Sequence, residues 1–172
     1  IGILTSVNCS ATVAKYIGEA FPTGVETDMG SLDGVVAFTH GTGCGMNIQG
    51  NGMEMLRRTM TGYASHPNLA GVLVVGLGCE VNQIPDWLKE AGLEVGSLLQ
   101  TMVIQESGGT RKTVERGISM VREMISDLKS VQRQTLPASH LTLGLECGGS
   151  DAYSGITANP SLGAAADLLV RH

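Results

Sequence analysis

The chain has 172 residues, enough for one domain with a full hydrophobic core and too few for two comfortable ones. Its formal net charge of −5, with no block of Lys and Arg, argues against nucleic acid or a membrane surface as a partner. No apolar run approaches the ~18 residues that a membrane span needs. Nothing resembles a signal peptide, and four cysteines without one indicate a reducing compartment, so we expect a cytoplasmic protein.

Strand-like and helix-like segments alternate along the chain. The strand-like runs cover residues 1–7, 34–39, 71–76, 101–105 and 141–145. The helix-like segments cover residues 10–21, 53–64, 84–91, 110–128 and 162–170, and residues 22–32 form an irregular stretch. The strand-like runs are apolar along their length, as in strands buried on both faces. We therefore predict an α/β fold with a doubly wound, mainly parallel five-stranded sheet and helices on both faces, a Rossmann-like arrangement.

All four cysteines follow predicted strands, at Cys9, Cys44, Cys79 and Cys147. Loops after parallel strands share the carboxyl edge of the sheet, where ligands bind. Thiolates bind iron, zinc or iron–sulfur clusters, whereas a single cytosolic cysteine is more often a small buried hydrophobe. Because no C-x-x-C spacing is present, a metal site here has to be assembled from separate loops.

Three ionisable residues occupy the same predicted edge. His40 ends a strand beside glycines, a position that suits a general base or a metal ligand and equally a structural histidine. Glu80 and Glu146 adjoin Cys79 and Cys147. A buried carboxylate at such a position is costly unless it is paired, solvated or bound to metal.

The segment Gly108-Gly109-Thr110-Arg111-Lys112 begins the longest predicted helix. Its spacing matches neither a phosphate-binding loop nor the dinucleotide fingerprint. Glycine amides at a helix N-terminus, followed by two cations, nevertheless form a cradle for an anion such as a carboxylate. An ordinary glycine-rich start to a helix is the alternative.

Several long motifs resemble the altronate dehydratase / D-galactarate dehydratase family. They are ILTSVNCSAT at 3–12, HGTGCG at 40–45, VVGLGCE at 74–80, ECGGSD at 146–151 and SGITANP at 154–160. The resemblance covers essentially the whole chain. Members of the family are longer, with a small domain before this region and more chain after it. Together with a first residue that lies inside a strand, this predicts that residues 1–172 are a single central α/β domain of a longer dehydratase.

The resemblance implies a hydro-lyase that converts a hexonic or hexaric acid, such as D-altronate or D-galactarate, to a 2-keto-3-deoxy acid. It implies Fe²⁺ as the cofactor, with Mn²⁺ or an iron–sulfur cluster as alternatives. Removing a proton beside a carboxylate requires a base and stabilisation of the enediolate, which a metal ion can supply. The expected catalytic residues are His40 and Glu146. The expected metal ligands are Cys9, Cys44, Cys79, Cys147 and Glu80. The expected substrate contacts are Asn8, Gly108, Gly109, Thr110, Ser150 and Asp151.

Three other functions remain open at this point. A lyase of the same family could act on a different acid, such as sulfolactate. A non-catalytic scaffold would pack its cysteine-bearing loops against a neighbouring domain, and an iron–sulfur electron carrier would show visible absorption. The expected partners are the sugar acid, the flanking domains of the same chain and, as a further option, a second copy in a homo-oligomer. We also expect the 172-residue chain to fold alone and to show little or no dehydratase activity.

Overall fold

The computed structural model describes residues 1–22, 29–146, 148–149 and 151–172. The chain divides into two compact units, Ile1–Gln132 and Arg133–His172, where the sequence analysis predicts one domain. Among the described residues, the buried hydrophobic ones all lie in the first unit, and none of the second unit is buried. The predicted irregular stretch at 22–32 falls mostly on residues 23–28, outside the described part.

The first unit contains a four-stranded parallel sheet. Its strands are β1 (Gly2–Thr5), β2 (Val36–Phe38), β3 (Val72–Gly76) and β4 (Leu99–Val103), in the order β2-β1-β3-β4. Every neighbouring pair is parallel. The central strands β1 and β3 are buried at every residue, which explains why their sequences are apolar without alternation. The predicted α/β class and the parallel sheet are confirmed.

The described part of the chain contains five helices, four in the first unit and one in the second. They are α1 (Ala11–Glu19), α2 (Asn51–Ala64), α3 (Ile84–Ala91), α4 (Thr110–Leu128) and α5 (Ala158–Arg171). Short 3-10 turns cover Asn8–Ser10 and Ala138–His140. Each of these helices falls where the sequence predicts one; α3 and α4 have the predicted limits, and the ends of α1, α2 and α5 are displaced by up to four residues. Within the described ranges, no helix combines the length and the apolar character needed to cross a membrane.

Helices cover both faces of the sheet. Ile3 and Leu73 pack on one face in a cluster that includes residues of α1 and α4. Leu4 and Val74 pack on the other face, in a cluster that includes Trp87 and residues of α2 and α3. The neighbouring residues of a strand point to opposite faces, so one apolar strand serves both layers.

The fifth predicted strand, at residues 141–145, is wrong. These residues belong to the second unit, lie outside any strand and are exposed, with Leu141 at 62% and Leu145 at 57% exposure. A strand needs a neighbour to satisfy its backbone N–H and C=O groups, and the described part of this unit offers only a helix and a 3-10 turn. An apolar run predicts that a segment is suited to a sheet, but it supplies no partner strand.

Candidate active site at the carboxyl edge of the sheet

The loops that follow the four strands lie together at the carboxyl edge of the sheet. The Asn8 backbone N–H donates to Thr42 O at 2.8 Å, which ties the loop after β1 to the loop after β2. The Gln105 N–H donates to Leu77 O at 3.1 Å, which joins the loops after β4 and β3. The parallel topology therefore gathers the predicted site residues of the first unit on one edge.

Gly43 allows the loop after β2 to lie directly on the loop after β1. Its φ of +97° is in the region that favours glycine, and a Cβ atom there would be 2.5 Å from Ser6 O. The same Cβ would be 2.8 Å from Val7 Cα. Any side chain at this position would force the two backbones apart.

Three of the cysteines are exposed free thiols at this edge. Cys9, Cys44 and Cys79 lie in the loops after β1, β2 and β3, and Cys147 lies outside the described residues. Their exposure does not match the packing alternative, which requires small buried side chains. In the described ranges, however, no group of three or more His, Cys, Asp and Glu side chains could hold a metal ion.

Glu80 is buried, with 4% exposure, and both of its carboxylate oxygens accept hydrogen bonds. Oε1 accepts from Ser6 Oγ at 2.5 Å and from Leu77 N at 3.0 Å, and Oε2 accepts from Gly78 N at 2.5 Å. Burial raises the pKa of Glu80, but the bonds from the Ser6 hydroxyl and from backbone amides outweigh it. The net pKa lies below the ordinary value of 4.5, so the carboxylate is ionised.

Ser6 and Asn82 are fully buried polar residues that the sequence analysis did not identify. Asn82 Nδ2 donates to Ser6 O at 3.1 Å, and its Oδ1 accepts from Arg57 Nε at 3.0 Å. Arg57 also pairs with Glu90 on α3. Asn82 follows the apolar Val81 just beyond β3, but its other neighbour is the polar Gln83, so the sequence carries no clear signal for this network.

His40 makes two contacts that fix its ring. Nε2 lies 2.8 Å from Thr5 O, and since a carbonyl oxygen can only accept, Nε2 carries the hydrogen. Nδ1 is then the bare nitrogen, and it lies 3.2 Å from the Thr42 N–H donor and 3.0 Å from Thr42 Oγ1. The structure thus presents His40 as a neutral imidazole whose lone pair contacts one exposed threonine.

The start of α4 has the glycine geometry expected of an anion cradle. Gly108 and Gly109 have φ values of +83° and +98°, and no side chain caps the first turn of the helix. The Lys112 side chain folds back over Gly108, since a Cβ there would be 3.5 Å from Lys112 Nζ. Arg111 instead pairs with Glu115 at 3.2 Å in an exposed position.

The remaining predicted residues belong to the second unit. Glu146 is exposed, and Ser150 lies outside the described residues. Asp151 organises a local turn, in which its Oδ1 accepts from Ser154 N at 2.7 Å. Its carbonyl oxygen accepts from Ser154 Oγ at 2.8 Å. Asp151 therefore has a structural contact of its own ahead of α5.

A parallel α/β sheet with exposed thiols and a histidine on its carboxyl edge is the arrangement of a ligand-binding α/β domain. The family model for the second domain of D-galactarate dehydratase/altronate hydrolase matches residues 1–129. The model for the C-terminal part of D-galactarate/altronate dehydratase matches residues 138–172, so the two matches meet where the two units divide. The chain belongs to the D-galactarate dehydratase/altronate hydrolase family.

Individual relatives agree with the family models. The altronate dehydratase of Bacillus subtilis (strain 168) is 36% identical over 170 residues, 98% of this chain and 33% of the relative. The L-threo-forming galactarate dehydratase of Escherichia coli (strain K12) is 36% identical over 178 residues, 99% of this chain and 34% of the relative. The beta subunit of a (2R)-sulfolactate sulfo-lyase of Chromohalobacter salexigens is 28% identical over 141 residues, 81% of this chain and 34% of that subunit. The chain spans about a third of the length of these relatives, and no solved structure matches it significantly.

Proposed function

We propose that this chain is part of a hydro-lyase that removes water from a sugar acid such as D-altronate or D-galactarate, giving a 2-keto-3-deoxy acid. The observation that carries the proposal is the likeness to an altronate dehydratase and a galactarate dehydratase over 98% and 99% of the chain. The convergence of His40, the thiols and the glycine-rich start of α4 on one edge supports it. The reaction takes a proton from the carbon beside the carboxylate and hydroxide from the next carbon.

His40 is the proposed general base. Its Nδ1 lone pair contacts only Thr42 among the hydrogen bonds found for it, and Thr42 is exposed. A substrate C–H that displaces both Thr42 donors, the hydroxyl and the backbone N–H, would reach this nitrogen. The imidazolium formed by the proton transfer keeps its Nε2–H bond to Thr5 O, and this carbonyl stabilises the new charge. Glu146, the second candidate from the sequence, stays a prediction.

The substrate carboxylate is proposed to bind at the start of α4. The uncapped amides of the first turn and the positive end of the helix dipole favour an anion there. The Lys112 ammonium group over Gly108 adds a cation on the same side. Thr110 is exposed beside it, and Asn8 is exposed in the loop after β1, so both are available to contact sugar hydroxyls.

Iron dependence is a separate proposal, and no step above is assigned to a metal ion. Cys→Ser changes at positions 9, 44, 79 and 147 in the protein at its full natural length test it, since a neutral hydroxyl is a much poorer ligand than a thiolate. We expect ligating positions to lose iron after anaerobic purification. Retention of iron and turnover by all four variants would contradict a thiolate site.

Sulfo-lyase activity is the second candidate function. The supporting observation is the 28% identity to the sulfolactate lyase subunit, which is lower and covers less of the chain than the identity to either dehydratase. A scaffold role and an iron–sulfur electron carrier stay predictions. Visible absorption by the anaerobically purified protein would favour the carrier.

A direct assay separates the two lyase functions. The protein at its full natural length is incubated in parallel with D-altronate, D-galactarate and (2R)-sulfolactate, and 2-keto acid and sulfite are measured. We expect 2-keto acid from at least one sugar acid and no sulfite. Release of sulfite with no product from either sugar acid would contradict the proposed dehydratase.

A further inference from the structure

We propose that Glu80 is a positioning residue of the carboxyl edge, and that it fixes the position of the loop bearing Cys79 relative to the loop bearing Cys9. This inference rests on the proposed function for its activity readout. It assigns to Glu80 a role different from the metal ligand that the family resemblance implies. Glu80 acts through Ser6 and the backbone of the loop after β3, without touching the substrate.

Both oxygens of the Glu80 carboxylate accept hydrogen bonds from protein donors. Ser6 Oγ, three residues before Cys9, donates to Oε1 at 2.5 Å, and the Leu77 and Gly78 amides donate at 3.0 and 2.5 Å. Charge-assisted hydrogen bonds of this kind are stronger than neutral ones. A buried carboxylate with three such donors is satisfied without any metal ion.

The space around the carboxylate is also closed. A Cβ atom on Gly76 would be 2.6 Å from Glu80 Oε1 and 3.1 Å from Ser6 Oγ. The backbone at the end of β3 therefore lies directly against this pair, with no room even for a methyl group. A metal ion that approached Oε1 from this side would have to displace these neighbours.

Ser6 connects the Glu80 bond to the neighbouring loops. Its carbonyl oxygen accepts from Asn82 Nδ2 at 3.1 Å, which gives the loop after β3 a second link to the loop after β1. The same carbonyl lies against Gly43 in the loop after β2. Displacing Ser6 would therefore disturb all three loops that carry described cysteines.

The turn that holds Cys79 depends on the same carboxylate. Gly78 has a φ of +127°, which L-residues rarely adopt, and its N–H is bonded to Glu80 Oε2. Gln83 Nε2 donates to Glu80 O at 2.5 Å on the other side. Cys79 lies exposed between Gly78 and Glu80, which these bonds hold in place, so the position of Cys79 follows from the bonds of Glu80.

The test uses Glu80→Gln and Ser6→Ala in the protein at its full natural length. Glutamine keeps the size and the acceptor for Ser6 and Leu77, but its amide group faces the Gly78 N–H donor. We expect kcat to fall about 10- to 100-fold, because small misplacements of reacting groups have effects of that size. We expect KM to stay at the wild-type value. Ser6→Ala removes one bond, and we expect a smaller fall in kcat. Glu123→Gln, which changes an exposed carboxylate on α4 outside this network, is the matched control and should behave as the wild type.

A second measurement does not depend on activity. The rate at which a maleimide labels Cys79 in the native protein, followed by peptide mass spectrometry, should change several-fold in Glu80→Gln and stay unchanged in Glu123→Gln. If the wild type turns over no sugar acid and this labelling change appears, the proposed function fails and the positioning role stands. Unchanged labelling of Cys79 in Glu80→Gln and Ser6→Ala overturns the proposal. Loss of iron from Glu80→Gln with wild-type labelling overturns it as well, in favour of a ligand role.

Discussion

Buried polar side chains at the end of the sheet satisfy one another. Ser6, Glu80 and Asn82 are at most 4% exposed, and each makes hydrogen bonds to a neighbouring loop. Burying such groups without partners would cost several kcal/mol, so their pairing is what allows polar residues to lie beside an apolar sheet. The candidate site therefore combines a buried, hydrogen-bonded group of polar side chains with exposed thiols and His40 at the same edge of the sheet.

Glu80→Gln should lower the stability of the 172-residue chain by about 1–3 kcal/mol at neutral pH, because it places two donors face to face in a buried position. The folded pKa of Glu80 is lowered, so its contribution to stability is complete above the unfolded value of 4.5 and is lost as the pH falls through the folded value. Urea unfolding at a series of pH values should show the difference between wild type and variant narrowing below about 4.5. A difference that stays constant down to acid pH would contradict the ionised, hydrogen-bonded carboxylate.

The sequence predicts the location of these residues but not their partners. It places Glu80 at the carboxyl edge and shows that a buried carboxylate there needs a partner or a metal ion. It does not identify Ser6, because the two residues are 74 positions apart and meet only when β1 pairs with β3. The tautomer of His40 likewise depends on Thr5 O, a backbone atom 35 positions away.

At the scale of elements, α1 and α4 approach closely on one face of the sheet. Gly117 of α4 is the contact point, since a Cβ there would be 2.3 Å from Ile17 Cδ1 and 2.9 Å from Ile17 Cγ1. Ile17 is completely buried. Glycine, which normally weakens a helix interior, is retained here because it allows the two helices to pack.

Gly117→Ala should destabilise the chain by about 1–3 kcal/mol, because the added methyl group overpacks a filled core. Gly62→Ala is the matched control in the interior of α2, where a Cβ would meet nothing within 4 Å. That change should stabilise the chain by roughly 0.5–1 kcal/mol through helix propensity alone. Urea unfolding of both variants measures the difference. Equal effects of the two substitutions would contradict the close approach of α1 and α4.

The sequence predicts a helix correctly where the helical spacing of its apolar residues and the length of the segment both indicate a helix. The helical spacing of Val114, Ile118, Val121 and Ile125 predicts α4 over residues 110–128, and the structure has the same limits. The prediction of a strand at 141–145 fails because pairing is a property of two segments, and an apolar run describes only one of them. The start of β4, two residues before the prediction, reflects the weak boundary signal of Leu99 and Gln100.

At the scale of the whole molecule, the chain combines a well-packed unit with a poorly buried one. The core lies in Ile1–Gln132, while Arg133–His172 exposes large apolar side chains such as Tyr153, Ile156 and Val170. The family models meet in the same place, with the second-domain match at 1–129 and the C-terminal match at 138–172. The sequence motifs predict the family correctly but do not reveal this division, because they continue on both sides of it.

The 172-residue chain should fold alone yet turn over sugar acids far more slowly than the protein at its full natural length. Folding is expected because the sheet and α1–α4 close two layers of core. Low turnover is expected because the chain spans about a third of the relatives it matches. Circular dichroism, thermal unfolding and parallel turnover assays check both parts. Comparable turnover by the two proteins would contradict the need for further segments.

The central claim is that the carboxyl edge of the first unit carries out the dehydration, with His40 as its base. The most direct measurement is the turnover of D-altronate and D-galactarate by His40→Gln in the protein at its full natural length. We predict a fall in kcat of about 10²- to 10⁴-fold, which is the usual effect of losing a general base. The substrate should still bind to the variant and saturate it. His66→Gln is the control, since His66 lies exposed in a turn and its ring accepts a local bond from Asn68 N, and the kcat of this variant should equal that of the wild type. Wild-type turnover by folded His40→Gln would contradict the account.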